Sequence, residues 1–565
     1  MNNLNDGTDG RLPPGRFRLI ALRILLLALG AVFTTVLCRD GAVPPEQYLI
    51  FMRLFLFNDY VGSLAMLIGF ALMLWLKPAK DTVTRIAAWT GANPGFACGI
   101  GFITFALGAR FVYMAHPLSM DEYAPVMQAS AFAHRELAAH YPAPLLDRIV
   151  WAPFRGTFLL TDPATGTTMS GYWPGLALLL TPFVFLHVGW MLNPALAALA
   201  LALIGDLAAR TTADPEQARQ RRGWAMLASL ASPAFTINAM SYYAMPGLLT
   251  LNLLYLWLVL KPGHRHAFMA GLVGGLALVL HNPVPHVLMA LPCLFWLAAN
   301  PAGRRRLPAL IAGYLPLGLL IGLGWPMLTS GLHMSGPMTA TAQEGFVAHW
   351  ANLVGQIFRL PSPELIQARV FATWKMWIWA SPGLLLAPFF ISVRVPALQL
   401  LCAAFVLTYL FYFLVPFDQG HGWGYRYIHP VWGLLPVAGG IWFASPGSAR
   451  ALGAMTVAAG LLATPAFLWE THQTIAEFKA LRITPPEEGH WVVFINREQL
   501  YTADLVQNPP GSERVLNLLS QGPEQDRRLM AKLAPSAEQV VLDARGSAWR
   551  LLAPVHSASG SAGTN

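Results

Sequence analysis

Two adjacent acids, Asp121 and Glu122, come directly after a hydrophobic stretch at residues 96–115 that is long enough to span a bilayer. Only 12% of the residues in this chain are charged, so a carboxylate pair at such a boundary is costly unless something uses it. Where a water-excluded pocket meets the bilayer surface, a carboxylate can take a proton from an acceptor hydroxyl or hold a divalent metal cation. The sequence leaves open which. A local explanation competes with both: Ser119 and Asp121 suit a helix N-cap, and Glu122 suits a first helical turn. A second loaded stretch lies far downstream, Asp418-Gln-Gly-His-Gly-Trp-Gly-Tyr-Arg-Tyr-Ile-His-Pro430. Glycines that alternate with His421, Trp423 and Tyr425 allow a backbone to approach a ligand while rings face it. Arg426 is the natural contact for a phosphate, because its planar fork pairs with two oxygens at once. An aromatic belt with one snorkelling arginine accounts for part of the same pattern.

Weaker candidates remain. His281-Asn-Pro-Val-Pro-His286 interrupts an apolar region and reads first as a polar turn between capped helix ends. His349-Trp350 has the aromatic face that suits a sugar, and Asp147 and Asp162 read as solvated acids. Cys38, Cys98, Cys293 and Cys402 sit in or beside apolar runs without metal-ligand spacing, which argues against a disulfide framework or a zinc site.

The elements that must position these residues are membrane helices. The 565 residues are 55% hydrophobic, with mean hydropathy +0.49, and the apolar runs lack the period-two alternation of a membrane strand. The fold class expected is an all-α polytopic membrane protein of about 13 transmembrane helices with a small C-terminal extramembrane α/β domain. The net charge of +9 lies in short loops between apolar runs, so it reads as a topology signal and not as a nucleic-acid surface.

Loop charge then orders the chain. Residues 1–18 form a cytoplasmic N-terminal tail, and 19–95 hold two additional N-terminal spans, at 19–37 and 56–76. Residues 96–469 form the main membrane domain, with external loops at 116–173 and 330–370. Arg219, Arg221 and Arg222, Lys261 and Arg265, and Arg304, Arg305 and Arg306 mark cytoplasmic turns. Between 174 and 210 this requires one full crossing and one partial or re-entrant piece. Residues 470–550 form an external α/β appendage, with buried strands at 491–495 and 539–542 and two helices between them, and 551–565 a disordered tail. The protein is expected in the inner (plasma) membrane, its N-terminus cytoplasmic and its C-terminal region periplasmic. Asp121-Glu122, the 330–370 loop and the Arg426 segment then share one face.

In order along the chain, these features resemble the integral-membrane GT-C glycosyltransferases. In particular they resemble bacterial relatives of the protein O-mannosyltransferases and of the lipid A aminoarabinose transferases, a family 39-like group. The residues that carry it are Asp121-Glu122-Tyr123 after a span, Ser170-Gly-Tyr-Trp-Pro-Gly175 closing the first external loop, Ser232-Pro233 ending a later span, and Gly424-Tyr425-Arg426-Tyr427 before a Pro-containing helix. It covers roughly residues 96–445. The resemblance implies a polyprenyl-phosphate-linked sugar donor, an acid in the first external loop as catalytic base, and transfer with inversion. Asp121 matches that acid and Glu122 is its neighbour.

The expected function is therefore a hexosyl- or pentosyltransferase acting on a lipid, glycan or protein acceptor. Asp121 and Glu122 are catalytic, while Arg426, Tyr425, Trp423, His421 and Tyr123 bind the donor phosphate and substrate. A polytopic transporter or lipid flippase is the alternative. It would need polar residues deep in several spans, where the sequence reads as almost purely apolar.

Overall fold

The structure, a computed structural model, describes residues 54, 59–76, 80–330, 360–415, 420–496, 500–512 and 514–551. The expected first span at 19–37, His349-Trp350, Asp418 and the tail after 551 lie outside them.

The architecture is mostly helical. Among the described residues, five helices are long and apolar enough to cross a membrane: Pro94–Phe111, Gly189–Ala209, Pro301–Ser330, Pro396–Leu414 and Ser448–Ala480. A sixth is added if Pro233–Met240 and Met245–Val259, bent by 113° at a short break, form one broken span. Tyr60–Met73, Gly175–Phe185, Val284–Ala299 and Leu434–Ala444 are shorter apolar helices. These elements do not establish the expected count of about 13, because proline and polar turns cut several apolar runs below the ~20 residues a straight crossing needs. Between 174 and 210, the Gly175–Phe185 helix has 11 residues, roughly 16 Å at 1.5 Å per residue. Only the following helix has crossing length.

The basic loops gather at one end of the bundle. Asp206 Oδ2 accepts from Trp257 Nε1 at 2.6 Å and from Arg210 Nε at 2.5 Å, and Arg222 lies 3.7 Å from the same carboxylate. Lys261 Nζ sits 3.3 Å from the centre of the Trp257 ring, and Arg306 donates to the carbonyls of Val259 and Lys261 at 2.7 and 2.5 Å. Near this end, the Lys80–Ala92 and Pro215–Leu230 helices touch backbone to backbone at Gly91 and Gly223, where a Cβ on either glycine would strike a main-chain carbonyl of the other helix. Asp214 caps the second of these helices by accepting from Glu216 N at 3.0 Å.

The helix interiors are less apolar than the sequence suggests. His286 is fully buried in the Val284–Ala299 helix, with Nδ1 2.8 Å from Asn252 Oδ1 and Nε2 2.8 Å from the Tyr314 hydroxyl. Lys375, inside the Pro363–Trp379 helix, meets Asp59 Oδ2 at 2.7 Å and Leu54 O at 3.0 Å. The polar-turn reading fails for His286, which ties three helices together. A lone polar side chain on an apolar helix does not reveal its partners on other helices.

At the opposite end, residues 116–173 fold into the Met120–Ala133 helix and a three-stranded antiparallel sheet. The strands are β1 (Ala139–His140), β2 (Leu159–Thr161) and β3 (Thr167–Ser170), in the order β1-β3-β2. Asp162, expected to be solvated, is buried, and its carboxylate holds Ala164 N and Thr165 Oγ1 at 3.0 and 2.7 Å to shape the β2–β3 turn. Asp147 is exposed and pairs with Arg155 at 2.5 Å. Further along, β4 (His421–Gly422) and β5 (Gly424–Tyr425) form a tight hairpin.

The 33-residue Ser448–Ala480 helix leads into the C-terminal domain, a four-stranded mixed sheet in the order β7-β6-β9-β8. Its strands are β6 (His490–Ile495), β7 (Val515–Leu519), β8 (Glu538–Asp543) and β9 (Gly546–Leu551). As expected, 491–495 is a buried strand. By contrast, 539–542 is an edge strand that leaves Val540 and Leu542 exposed, and the described residues between the two segments include a 3-10 helix at Leu500–Leu505 and the α-helix Pro523–Leu533. β7 pairs in parallel with β6, which supplies its backbone partners.

Candidate active site

The Met120–Ala133 helix sets Asp121 and Glu122 in its first turn, but neither is solvated: they are 5% and 0% exposed. Ser119 occupies the N-cap without a side-chain capping bond and instead donates its hydroxyl to Tyr243 Oη at 3.2 Å. Ser119 and Asp121 therefore do not act as caps, whereas Glu122 in the first turn accepts from Leu118 N.

Arg426 Nη1 meets Asp121 Oδ2 at 2.5 Å, and the Tyr172 hydroxyl donates a short hydrogen bond to Asp121 Oδ1. Arg426 is 4% exposed, and its guanidinium lies 5.3 Å from the centre of the Tyr243 ring. His281 stacks on Tyr172 with ring centres 3.7 Å apart. The His281 Nδ1 atom is buried and makes no hydrogen bond. Burial alone would raise the Asp121 carboxyl, but Arg426, His281 and the Tyr172 hydroxyl together outweigh it and hold the group below the usual carboxylate range. For His281, burial is the main cause of a value near 4, so the ring is neutral at ordinary pH.

Three local features deliver these groups. Ser170 N donates to Gln128 Oε1 at 3.1 Å, which clips the end of β3 to the helix and carries Tyr172 toward Asp121. Gly175 and Leu176 donate to the carbonyls of Val279 and Leu280, both at 2.8 Å. A side chain at Gly175 would strike that backbone, so glycine here permits the approach that brings His281 to Tyr172. In the β4–β5 hairpin Gly422 pairs with Gly424, Trp423 sits at the tip, and Gly424 takes φ 78°, a left-handed conformation that glycine adopts without strain. These glycines make a turn that aims Trp423 inward; the sequence reading of backbone kept clear for a ligand gives way to turn geometry.

Glu122 has a different role from its neighbour. Its Oε1 accepts from the Tyr113 hydroxyl at 2.7 Å and from Tyr242 N at 2.9 Å, and its Oε2 accepts from Leu118 N at 2.5 Å. Trp423 Nε1 donates to the Tyr113 hydroxyl at 2.9 Å, and the Trp423 carbonyl accepts from Asn238 at 2.7 Å. Glu122 thus locks the helix start, the end of the preceding span and the break between the bent helix pair. Burial pushes its carboxyl up to about 7, against the three hydrogen bonds that favour the anion.

The seven residues singled out in the sequence divide into three groups. Asp121, Glu122, Arg426 and Trp423 converge, while Tyr425 and His421 form the strand pair that presents Trp423 and Arg426. Tyr123 points elsewhere: its hydroxyl accepts from Asn508 N at 2.7 Å, in the C-terminal domain. Tyr172, Tyr243 and His281 complete the site beyond the residues that the sequence marks. Tyr172 stood in the quoted Ser170–Gly175 motif and His281 in the polar interruption, so their positions were visible but not their convergence.

Among the described residues, Asp121 is not set up as a metal ligand. Both Asp121 oxygens accept hydrogen bonds, one from a guanidinium, and no group of three or more His, Cys, Asp or Glu suited to a metal occurs among the described residues.

No family model and no curated protein matches this sequence. Among solved structures, the chain is similar to ArnT from Cupriavidus metallidurans bound to undecaprenyl phosphate, with 13% identity, a TM-score of 0.48, and coverage of 81% of this chain and 98% of that one. It is also similar to the apo state of ArnT, with 15% identity, a TM-score of 0.46 and the same coverage.

Proposed function

We propose that this protein transfers a sugar from a polyprenyl-phosphate-linked donor to a lipid, glycan or protein acceptor at the periplasmic surface of the inner membrane, with inversion. The observation that carries this reading is the buried Asp121–Arg426 pair, at the end of the bundle opposite the basic loops. A carboxylate and a guanidinium held together out of water form a site that a phosphate can open. A donor phosphate competes with Asp121 for the Arg426 fork and can take both of its arms. Asp121 then loses the cation that holds its carboxyl down, while its burial remains, so its proton affinity rises toward that of a working base.

In the reaction, Asp121 takes the proton of the acceptor hydroxyl. The acceptor oxygen forms a bond to the anomeric carbon, and the bond from that carbon to the phosphate oxygen breaks on the opposite face. The electron pair leaves on the polyprenyl phosphate, where Arg426 offsets the charge that develops. Tyr172, packed against His281, holds the other oxygen of Asp121. An open groove of about 650 Å³, lined by Phe132, Leu137, Pro174, Leu178 and Trp325 together with Arg135 and Glu136, suits a substrate that carries an apolar chain and a polar head.

The test compares the lipid-linked sugars and surface glycans of a deletion strain with those of its parent and of the strain complemented with Asp121→Asn. The expected result is accumulated donor and one missing glycan residue in both the deletion and the Asn variant, with normal membrane insertion. Unchanged glycans in the deletion would refute the reading, and full transfer by Asp121→Asn would refute the base.

A further inference from the structure

The C-terminal domain does more than sit outside the membrane. Three of its residues, Asp504 and Gln507 through their side chains and Asn508 through its main chain, bear on the stretch from Pro117 to Tyr123 that contains the proposed catalytic acid. Asp504 Oδ1 accepts from Met120 N at 2.7 Å, the first amide of the helix on which Asp121 is the next residue. Gln507 Nε2 donates to Pro117 O at 2.8 Å, one residue before the Leu118 amide that holds Glu122. The main chain of Asn508 donates from N to the Tyr123 hydroxyl at 2.7 Å and accepts at O from the Tyr141 hydroxyl at 2.6 Å.

These groups are themselves braced. Gln507 Nε2 also donates to Asp504 O at 2.9 Å, and Asn508 exchanges side-chain hydrogen bonds with the backbone of Asn517 in β7, both at 2.8 Å. Asp504, Gln507 and Asn508 are 3%, 9% and 5% exposed. A second attachment, Arg148 to Asp526 at 2.5 Å, fixes the same domain to the first external loop.

A helix start needs its first amides satisfied, and the local N-cap residue, Ser119, does not do this with its side chain. The cap is supplied instead from 384 positions away. We propose that Asp504, supported by Gln507, is a positioning residue of the active site: its carboxyl caps the Met120–Ala133 helix and sets the height and angle at which Asp121 meets Arg426 and the acceptor. This rests on the assignment of Asp121 as base. The cap is made by an acceptor oxygen, and burial among Asp121 and Glu122 disfavours a third charge here, so a neutral isostere can serve.

The experiment uses the full-length protein in nanodiscs and in membranes of the deletion strain, whose own lipid-linked sugars serve as donor. Backbone amide exchange over residues 118–123 and the rate of product formation are measured for wild type, Asp504→Ala, Asp504→Asn and Gln507→Ala. Loss of a cap is expected to speed exchange about fivefold or more in Asp504→Ala and to slow product formation by at least as much. Asn should restore most of both, and Gln507→Ala should move both in the same direction by less. Should Asp504→Ala fail to assemble, Gln507→Ala against wild type decides. Faster exchange with undiminished turnover, slower turnover with unchanged exchange, or an Asn variant as poor as Ala would each overturn the proposal. Failure of the base assignment looks different: Asp121→Asn would retain product formation while exchange still responded to Asp504→Ala.

Discussion

Replacing Arg426 with alanine should invert the way the site responds to acid. In the native protein the Asp121 carboxyl lies below its usual value near 3.8, because Arg426, His281 and Tyr172 outweigh burial. A depressed carboxyl contributes stability that is present above its unfolded value and is lost as pH falls through the folded value. Between pH 8 and 4.5 the native contribution of Asp121 is therefore flat. In Arg426→Ala the same carboxyl, 5% exposed, has lost its largest offset to burial. Its folded value then rises above the unfolded one, and its contribution is full in acid and falls as pH rises. Leaving a buried charge without its partner typically costs about 3–5 kcal/mol. Arg426→Ala should thus be destabilised by about that amount at pH 8, and by markedly less at pH 4.5, where the carboxyl can protonate. The assay is the melting temperature of the purified protein in detergent across this range, for wild type, Arg426→Ala and the double variant Asp121→Asn with Arg426→Ala. The deficit of the double variant should not depend on pH. A single-variant deficit that stays constant or grows toward acid would refute the pairing. Transfer by Arg426→Ala should fall about a hundredfold to a thousandfold, as expected for loss of one charge-stabilising donor.

Other substitutions separate the neighbours of this pair. Glu122, raised to about 7 by burial, should contribute stability that is complete below about 4.5 and is lost as pH rises through 7; Glu122→Gln should remove this dependence, roughly 3 kcal/mol between those limits, from pH-dependent melting. Tyr172→Phe deletes a hydroxyl bonded to the Asp121 carboxylate, so it should slow transfer about tenfold or more and move the acidic limb of the pH–rate profile upward. Trp423→Phe keeps a ring at the hairpin tip but loses the donor to Tyr113 and part of the buried indole, so stability measured by melting should fall by about 1–3 kcal/mol.

Part of this site was legible because its residues are chemically expensive. Two acids after an apolar run, and an arginine among glycines and rings, stand out where only 12% of residues are charged. Loop charges suggested that they share a face, and the structure joins Asp121 to Arg426 across 305 positions. Tyr172, His281 and Tyr243 were not legible in the same way: single aromatic or imidazole residues near membrane boundaries are common, and their contacts arise only when loops from different helices meet. Asp504 was still less visible, being one acid in an ordinary soluble-looking segment.

The sequence by itself determined the medium and the cast. Long apolar runs require helices in a bilayer, since unpaired backbone cannot remain there, and the few charges that survive at the boundaries are marked by their cost. Only the tertiary structure decided what each acid does. Asp121 and Glu122 are adjacent and chemically alike, yet one meets a guanidinium and a tyrosine hydroxyl while the other is closed in by two amides and a second tyrosine. Side chains one residue apart on a helix diverge by about 100°. That rotation sends the first toward the Arg426 loop and the second toward the helix bundle, and so makes one a candidate for chemistry and the other a fastening.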